Sequence, residues 1–157
     1  MLQNCSDCTQ RSDGIFCDLR PDVSPEFEAI KSIQSYPRGT VLFDEGQQAR
    51  SVFMICEGRV RLWVCSENGH RLVLHVASAG EILGLSAALS GRTYEVTAEA
   101  IERVQAAEVQ RKDLLHFLQG HCDVCMQVVH LISENLHEAY DRIRAVGLTR
   151  IRHHHTV

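Results

Sequence analysis

Between Tyr36 and Val109 apolar residues recur at every second position, and turn residues interrupt them at short, near-regular intervals. Val60, Leu62 and Val64 alternate with Arg59, Arg61 and Trp63; Leu72, Leu74 and Val76 alternate with Arg71, Val73 and His75. A period of two puts one set of side chains on each face of an extended strand, so these runs read as strands. Pro37-Arg38-Gly39, Glu45-Gly46, Glu57-Gly58, Asn68-Gly69, Gly80 and Ser90-Gly91 punctuate them. Asn68-Gly69 is the strongest of these signals, because both residues tolerate the positive φ of a tight hairpin turn. Short strands joined in this way form an antiparallel barrel or roll, which also hides sheet edges.

On either side the period becomes helical. Ser24-Pro25-Glu26 has the order of an N-cap, a proline at the first helical position and an acidic first turn; Phe27, Ile30 and Ile33 continue it at helical spacing. Arg111 to Leu118 reads as a short helix stopped near Gly120, and a long helix follows from Cys122 to Val146 with Gly147 as its C-cap. Along it Cys125, Val129, Ile132, Leu136, Ala139, Ile143 and Val146 alternate steps of four and three, a heptad seam. A second strip (Val124, Val128, Leu131) can pack on the chain's own strands. That leaves the seam for a parallel two-helix homodimer. The expected segments are a cysteine-bearing arm (1–22), a β-roll (23–120), a dimerisation helix (121–147) and a basic, histidine-containing tail (148–157).

Composition narrows the function classes. No stretch approaches the roughly 20 consecutive apolar residues of a membrane span, and the N-terminus is polar. A cytoplasmic chain without membrane contact is expected. The net charge of −4 lends no support to nucleic-acid binding by this body. Seven cysteines are many for 157 residues, and the number is odd. Three form the pattern Cys5-x2-Cys8-x8-Cys17, Cys56 and Cys65 lie in strand-like runs, and Cys122 and Cys125 open the long helix. Clustered thiols in a reducing compartment read as ligands or redox-sensitive groups before structural disulfides.

The run Gly80-Glu81-Ile82-Leu83-Gly84-Leu85-Ser86, followed by Ser90-Gly91-Arg92-Thr93, has the makings of an anion cradle. Glycine lets backbone approach a ligand, and arginine offers phosphate a two-pronged fork. Gly84, Leu85, Ser86, Arg92 and Thr93 are the candidate ligand-binding residues. Two readings stand: Arg92 holds an anion, or it pairs with a nearby carboxylate while the glycines merely turn the chain.

Pro37-x-Gly39-x-x-Leu42-Phe43-x-Glu45-Gly46 and Phe53-x-Ile55-x-x-Gly58-x-Val60-x-Leu62, with Gly69, Gly80-Glu81, Gly84, Arg92-Thr93, Ala98 and Leu114-Leu115, resemble the sensor domain of the CRP/FNR transcription factor family. The resemblance covers about residues 24–147. It implies a cyclic-nucleotide-binding-type β-roll (a jelly-roll, or double-stranded β-helix), mainly β with flanking helices, followed by a long dimerisation helix. It further implies a C-terminal helix-turn-helix that reads DNA. Arg150 to Val157 cannot supply a recognition helix, so the chain alone is not expected to bind DNA, and His153-His154-His155 reads as an unstructured tail.

The resemblance also places a glutamate for the ribose directly after the Gly84 position, where this chain has Leu85. Losing a buried hydroxyl acceptor costs about 1–3 kcal/mol and discards sugar selectivity. His137-Glu138 replaces the hydroxyl pair expected near the base, so cyclic AMP is not the expected signal. In the fumarate–nitrate branch three N-terminal cysteines and a fourth in the roll hold an iron–sulfur cluster. Cys5, Cys8 and Cys17 resemble the first three, but the fourth position falls at Ala107, which cannot ligate. A cluster, zinc in a mixed Cys/His shell, or a simple redox-labile thiol set all remain open. The expected function is effector sensing and dimerisation in such a regulator, responding to redox state, a metal centre or another small ligand. A regulatory module without DNA binding is the alternative. A cupin-like metalloenzyme is disfavoured, since His70 and His75 are five apart, no His-x-His precedes Glu81, and no nucleophile–base pair is evident.

Overall fold

The structure is a computed structural model, which describes the backbone of residues 21–155 and the side chains of residues 21–147. Its elements are α1 (Ser24–Glu28), β1 (Lys31–Tyr36), β2 (Val41–Phe43), β3 (Ser51–Glu57), β4 (Val60–Cys65), β5 (Arg71–Ala77), β6 (Ile82–Leu83), α2 (Leu85–Ser90), β7 (Thr97–Ala100), β8 (Val104–Gln110), α3 (Arg111–Gly120) and α4 (Cys122–His155). The strands form two four-stranded sheets, ordered β1-β8-β3-β6 and β2-β7-β4-β5, in which every pairing is antiparallel. This is the antiparallel roll that the two-residue period predicts, followed by the long C-terminal helix expected from the helical spacing.

Central position explains the composition of β3. It pairs with β8 on one side and β6 on the other, and Ser51 to Cys56 are all buried. A strand covered on both faces reads as a continuous apolar run rather than an alternation. At the ends of the roll, α1 and α3 meet through Phe27 and Phe117, both buried, with ring centroids 5.3 Å apart and tilted. Such a tilted pair adds about 0.5–1.5 kcal/mol beyond the area it buries.

The second sheet carries an ionic cluster. Arg61 donates to Glu99 at 2.9 Å across the β4–β7 pairing, and the Arg71 guanidinium lies 4.2 Å above the Trp63 ring. The hydrogen bond from Arg61, with the charges of Arg61 and Arg71 behind it, holds the Glu99 carboxyl below its ordinary value despite the opposing effect of desolvation. A lowered folded-state value means this contribution is complete above the ordinary carboxylate range and is lost as pH falls through the lowered one. Denaturant titrations from pH 7 to 3 should therefore give a shallower acid loss of stability for Glu99→Gln than for the parent. Identical slopes would remove Glu99 from the acid response.

Four local expectations are corrected. The first helix stops at Glu28, and Ile33 lies in β1 opposite Ala107. Ser24 does not cap it; Val23 holds the N-cap position without a side-chain hydrogen bond. A helix of one turn cannot stabilise itself, and six residues of ladder with β8 outweigh the helical spacing of Ile30 and Ile33. In the β4–β5 hairpin only Gly69 takes positive φ, at +79°, so Asn68 does not contribute the second residue of a mirror-image turn. The five-residue connection Ser66–His70 closes instead through Ser66 N–H to the His70 carbonyl, at 2.8 Å. On β5, the edge strand of its sheet, the expected buried face is missing: Leu72, Val73, Leu74 and Val76 are all exposed.

The fourth correction concerns α4, a unit distinct from the roll, which ends at Gly120. The helix passes through Gly147 and reaches His155, so the backbone of the tail as far as His155 is helical rather than unstructured. A C-cap glycine takes left-handed φ, and Gly147 does not. Val124 and Val128 are buried, whereas the seam residues Val129, Leu136, Ile143 and Val146 are 50%, 49%, 66% and 56% exposed. Leu131 of the inner strip is half-buried, as are Cys125 and Ile132 of the seam, so the contrast is between Val124 and Val128 on one side and Val129, Leu136, Ile143 and Val146 on the other. No described helix is long and apolar enough to cross a membrane.

Candidate functional site

The glycine-rich run folds as a tight connection around α2. Gly84, at φ +79°, is the N-cap of α2, and Gly91, at φ +72°, is its C-cap. The reason glycine stands at 84 is partly steric. A Cβ there would lie 2.7 Å from Cε1 of Tyr94 and 3.5 Å from the Ser51 carbonyl oxygen. Tyr94 is 4% exposed, stacks on Phe43 with centroids 3.9 Å apart, and donates its hydroxyl proton to the Ser51 carbonyl at 2.6 Å. The Tyr94 hydroxyl oxygen in turn accepts the Ser51 N–H at 3.3 Å. Burial raises the Tyr94 phenol above its ordinary value, with the nearby Glu108 charge acting in the same direction.

Beyond α2 the chain is clamped on both sides. Arg92 N–H reaches the Ala87 carbonyl at 3.0 Å, and the Arg92 carbonyl accepts from Ala49 at 3.1 Å. Tyr94 N–H bonds the Gln47 carbonyl and Tyr94 O accepts from Gly46, both at 2.9 Å. The bridge between Gln48 and Thr93 lies between these bonds. The backbone of 92–94 is thereby fixed, while the side chains of Arg92 and Thr93 stand exposed. Among the described residues neither makes a side-chain hydrogen bond or ion pair, so the carboxylate partner left open for Arg92 is not found. Leu85, at the start of α2, is 6% exposed, and Ser86 is exposed. The five candidate residues are therefore brought into one connection, but with unequal roles: Gly84 and Leu85 pack, whereas Ser86, Arg92 and Thr93 face outward.

Two contributors carry no local signal in the sequence. Tyr94 supplies the ring that Gly84 accommodates. Arg111, at the start of α3, donates Nε–H to the Ala88 carbonyl at 2.5 Å and its own N–H to the Arg50 carbonyl at 2.7 Å. It ties α3 to the C-terminal end of α2 from more than 20 residues away. Arg50, Arg111 and Lys112 line a cavity of about 460 Å³ beside this tie. Glu81 is likewise a structural anchor, accepting from Ser78 N–H at 2.7 Å and lying 2.7 Å from His75 Nε2.

The metal reading draws little from the described residues. Cys5, Cys8 and Cys17 lie outside them. Ala107 is fully buried in β8 between Ile33 and Met54, and offers no ligand at the fourth position. Cys56 is 7% exposed, with its thiol directed at the Met54 carbonyl, while Cys65 is exposed. No group of three or more His, Cys, Asp or Glu side chains among the described residues is placed to share a metal ion. The described residues do not fit a cluster, and no step is derived through one.

Comparison with known proteins gives the same architecture. The model of the cyclic nucleotide-binding domain matches residues 33–121. The transcriptional activatory protein AadR of Rhodopseudomonas palustris is 26% identical over 140 residues, covering 89% of this chain and 57% of that protein. The nitrogen fixation regulation protein FixK of Bradyrhizobium diazoefficiens is 26% identical over 143 residues, covering 91% and 59%. The crystal structure of Thermus thermophilus catabolite activator protein superposes with a TM-score of 0.77 at 22% identity, over 85% of this chain and 62% of that one. The chain spans less than two thirds of the length of these curated relatives, which are named as regulators rather than enzymes. Matched over more than half its length by that model, and homologous to the regulators, the chain belongs to the cyclic nucleotide-binding domain family in its CRP/FNR branch.

Proposed function

We propose that this chain is the effector-sensing and dimerising part of a CRP/FNR-type transcription regulator whose signal is not cyclic AMP. The observation that carries the ligand reading is the α2 connection. Its phosphate-type arginine, Arg92, stands exposed with no partner among the described residues, while the position of the ribose-holding glutamate is the buried Leu85. An anion-binding arm is kept and the sugar acceptor is gone. The signal is then a small anion at Arg92, or a redox or metal event at the cysteines Cys5, Cys8 and Cys17. The exposed seam of α4 supports the dimer, and DNA would be engaged by a further part of the whole regulator.

Calorimetry tests the ligand reading. Cyclic AMP should bind about 5- to 150-fold more weakly to the parent than to Leu85→Glu, which restores an acceptor for the ribose hydroxyl. Micromolar cyclic AMP binding would overturn the proposal. Any phosphate-bearing ligand that does bind should lose at least about 10-fold in affinity in Arg92→Ala, the size of a charge-assisted hydrogen bond of about 1.5–3 kcal/mol. Equal binding by both proteins would refute the role given to Arg92.

A further inference from the structure

We infer that Cys122 and Cys125 form a dithiol that peroxide converts to an intrachain disulfide, a modification site separate from the N-terminal cysteine arm. The pair is Cys122-Asp123-Val124-Cys125, on the first turn of α4. Cys122 is exposed, Cys125 is half-buried, and neither is engaged in a disulfide. Residues three apart on a helix share a face, with Cβ atoms about 5–6 Å apart. A disulfide requires about 3.5–4.5 Å, so closure asks for a shift of 1–2 Å.

The position makes that shift feasible. The first turn of a helix has no earlier turn of its own to bond to, and here the Cys125 N–H reaches back to the carbonyl of His121, outside α4, at 3.0 Å. Cys122 and Cys125 also contrast with the other described thiols. Cys65 is exposed at the end of β4 with no second cysteine within its strand, and Cys56 is buried.

The chemistry balances with peroxide as the oxidant. The Cys122 thiolate attacks the O–O bond, forming a sulfenic acid and releasing hydroxide, which takes the thiol proton to become water. The Cys125 sulfur then attacks the sulfenic sulfur, forms the S–S bond and expels the oxygen as a second water. Two thiols lose two electrons and two protons, and one peroxide becomes two waters. The nearby second thiol is what separates this pair from Cys65, whose strand carries no second cysteine to arrest oxidation at the disulfide.

Peptide mass spectrometry on the full chain tests this directly, because cleavage after Lys and Arg releases Asp113–Arg142 with these two cysteines alone, and Leu62–Arg71 with Cys65 alone. After treatment with hydrogen peroxide at one equivalent per chain, Asp113–Arg142 should become about 2 Da lighter without linkage to another peptide, and return to its starting mass on reduction. In Cys125→Ser, Cys122 should instead be trapped as a dimedone adduct. The inference is overturned if the parent peptide stays unchanged, gains sulfinic or sulfonic oxygens on its cysteines, or appears as a linked pair of peptides. It does not rest on the dimer reading, whose failure would show in sedimentation and not in these masses.

Discussion

Leu136→Asp is expected to raise the dissociation constant of the proposed dimer by about 100-fold or more. Leu136 sits at the centre of the seam and is 49% exposed in the single chain. Covering the remaining half of its surface contributes about 1–1.5 kcal/mol per protomer, and a two-fold interface doubles the effect of every substitution. Aspartate forfeits that gain and sets two carboxylates against each other in a drying interface, so a total loss of at least about 3 kcal/mol is a conservative sum. Ile132→Asp, one step earlier on the same strip, should act alike. Glu138→Lys, which lies off the seam and is exposed, should leave the association unchanged. Sedimentation at about 10 μM is the measurement, a concentration where a loss of this size separates dimer from monomer. A parent that sediments as a monomer, or aspartate variants that remain dimeric, would end the seam reading.

Gly84→Ala is expected to destabilise the roll by about 3 kcal/mol. Two costs combine. Left-handed φ at a non-glycine residue costs about 1 kcal/mol or more, and Gly84 has φ +79°. The added Cβ would also meet the Tyr94 ring at 2.7 Å, and that ring has no room to yield. It is stacked on Phe43 and pinned through its hydroxyl to Ser51, so overpacking adds about 1–3 kcal/mol. For a unit of this size the melting temperature should fall by about 10 °C, read by circular dichroism. In a Tyr94→Leu background the same substitution should cost less, because the ring that opposes the new methyl is gone. A melting temperature within about 2 °C of the parent would refute the steric account of Gly84.

Much of the fold was readable because its signals are local. The alternation in Val60–Val64 and the glycines at turns are set by backbone geometry over a few residues, and they led correctly to antiparallel sheets. The long helix followed from periodicity in the same way. Where residues 30–36 were concerned, two local preferences competed, and pairing with β8 decided between them. Gly147 was misread as a stop because a glycine near the end of a pattern is ambiguous until its φ is known. For β5, periodicity indicated a strand but not that it would be an edge strand exposing apolar side chains on both faces.

At the site the division is similar. Gly84, Leu85, Arg92 and Thr93 could be picked out as neighbours in one short run of the sequence. Tyr94 as the ring beneath Gly84 could not, nor could Arg111 reaching Ala88, since both depend on which distant segments meet.

The amino-acid sequence by itself determined the class of this protein: a rolled antiparallel domain followed by a heptad-bearing helix. These are consequences of side-chain period and backbone stereochemistry, which act within a few residues. Only the tertiary structure decided that Arg92 is left without a partner among the described residues, that Glu81 is tied to Ser78 and His75, and that Ala107 is sealed between two strands. Those outcomes turn on long-range packing and hydrogen bonding, where the partner of each group is set by the path of the whole chain.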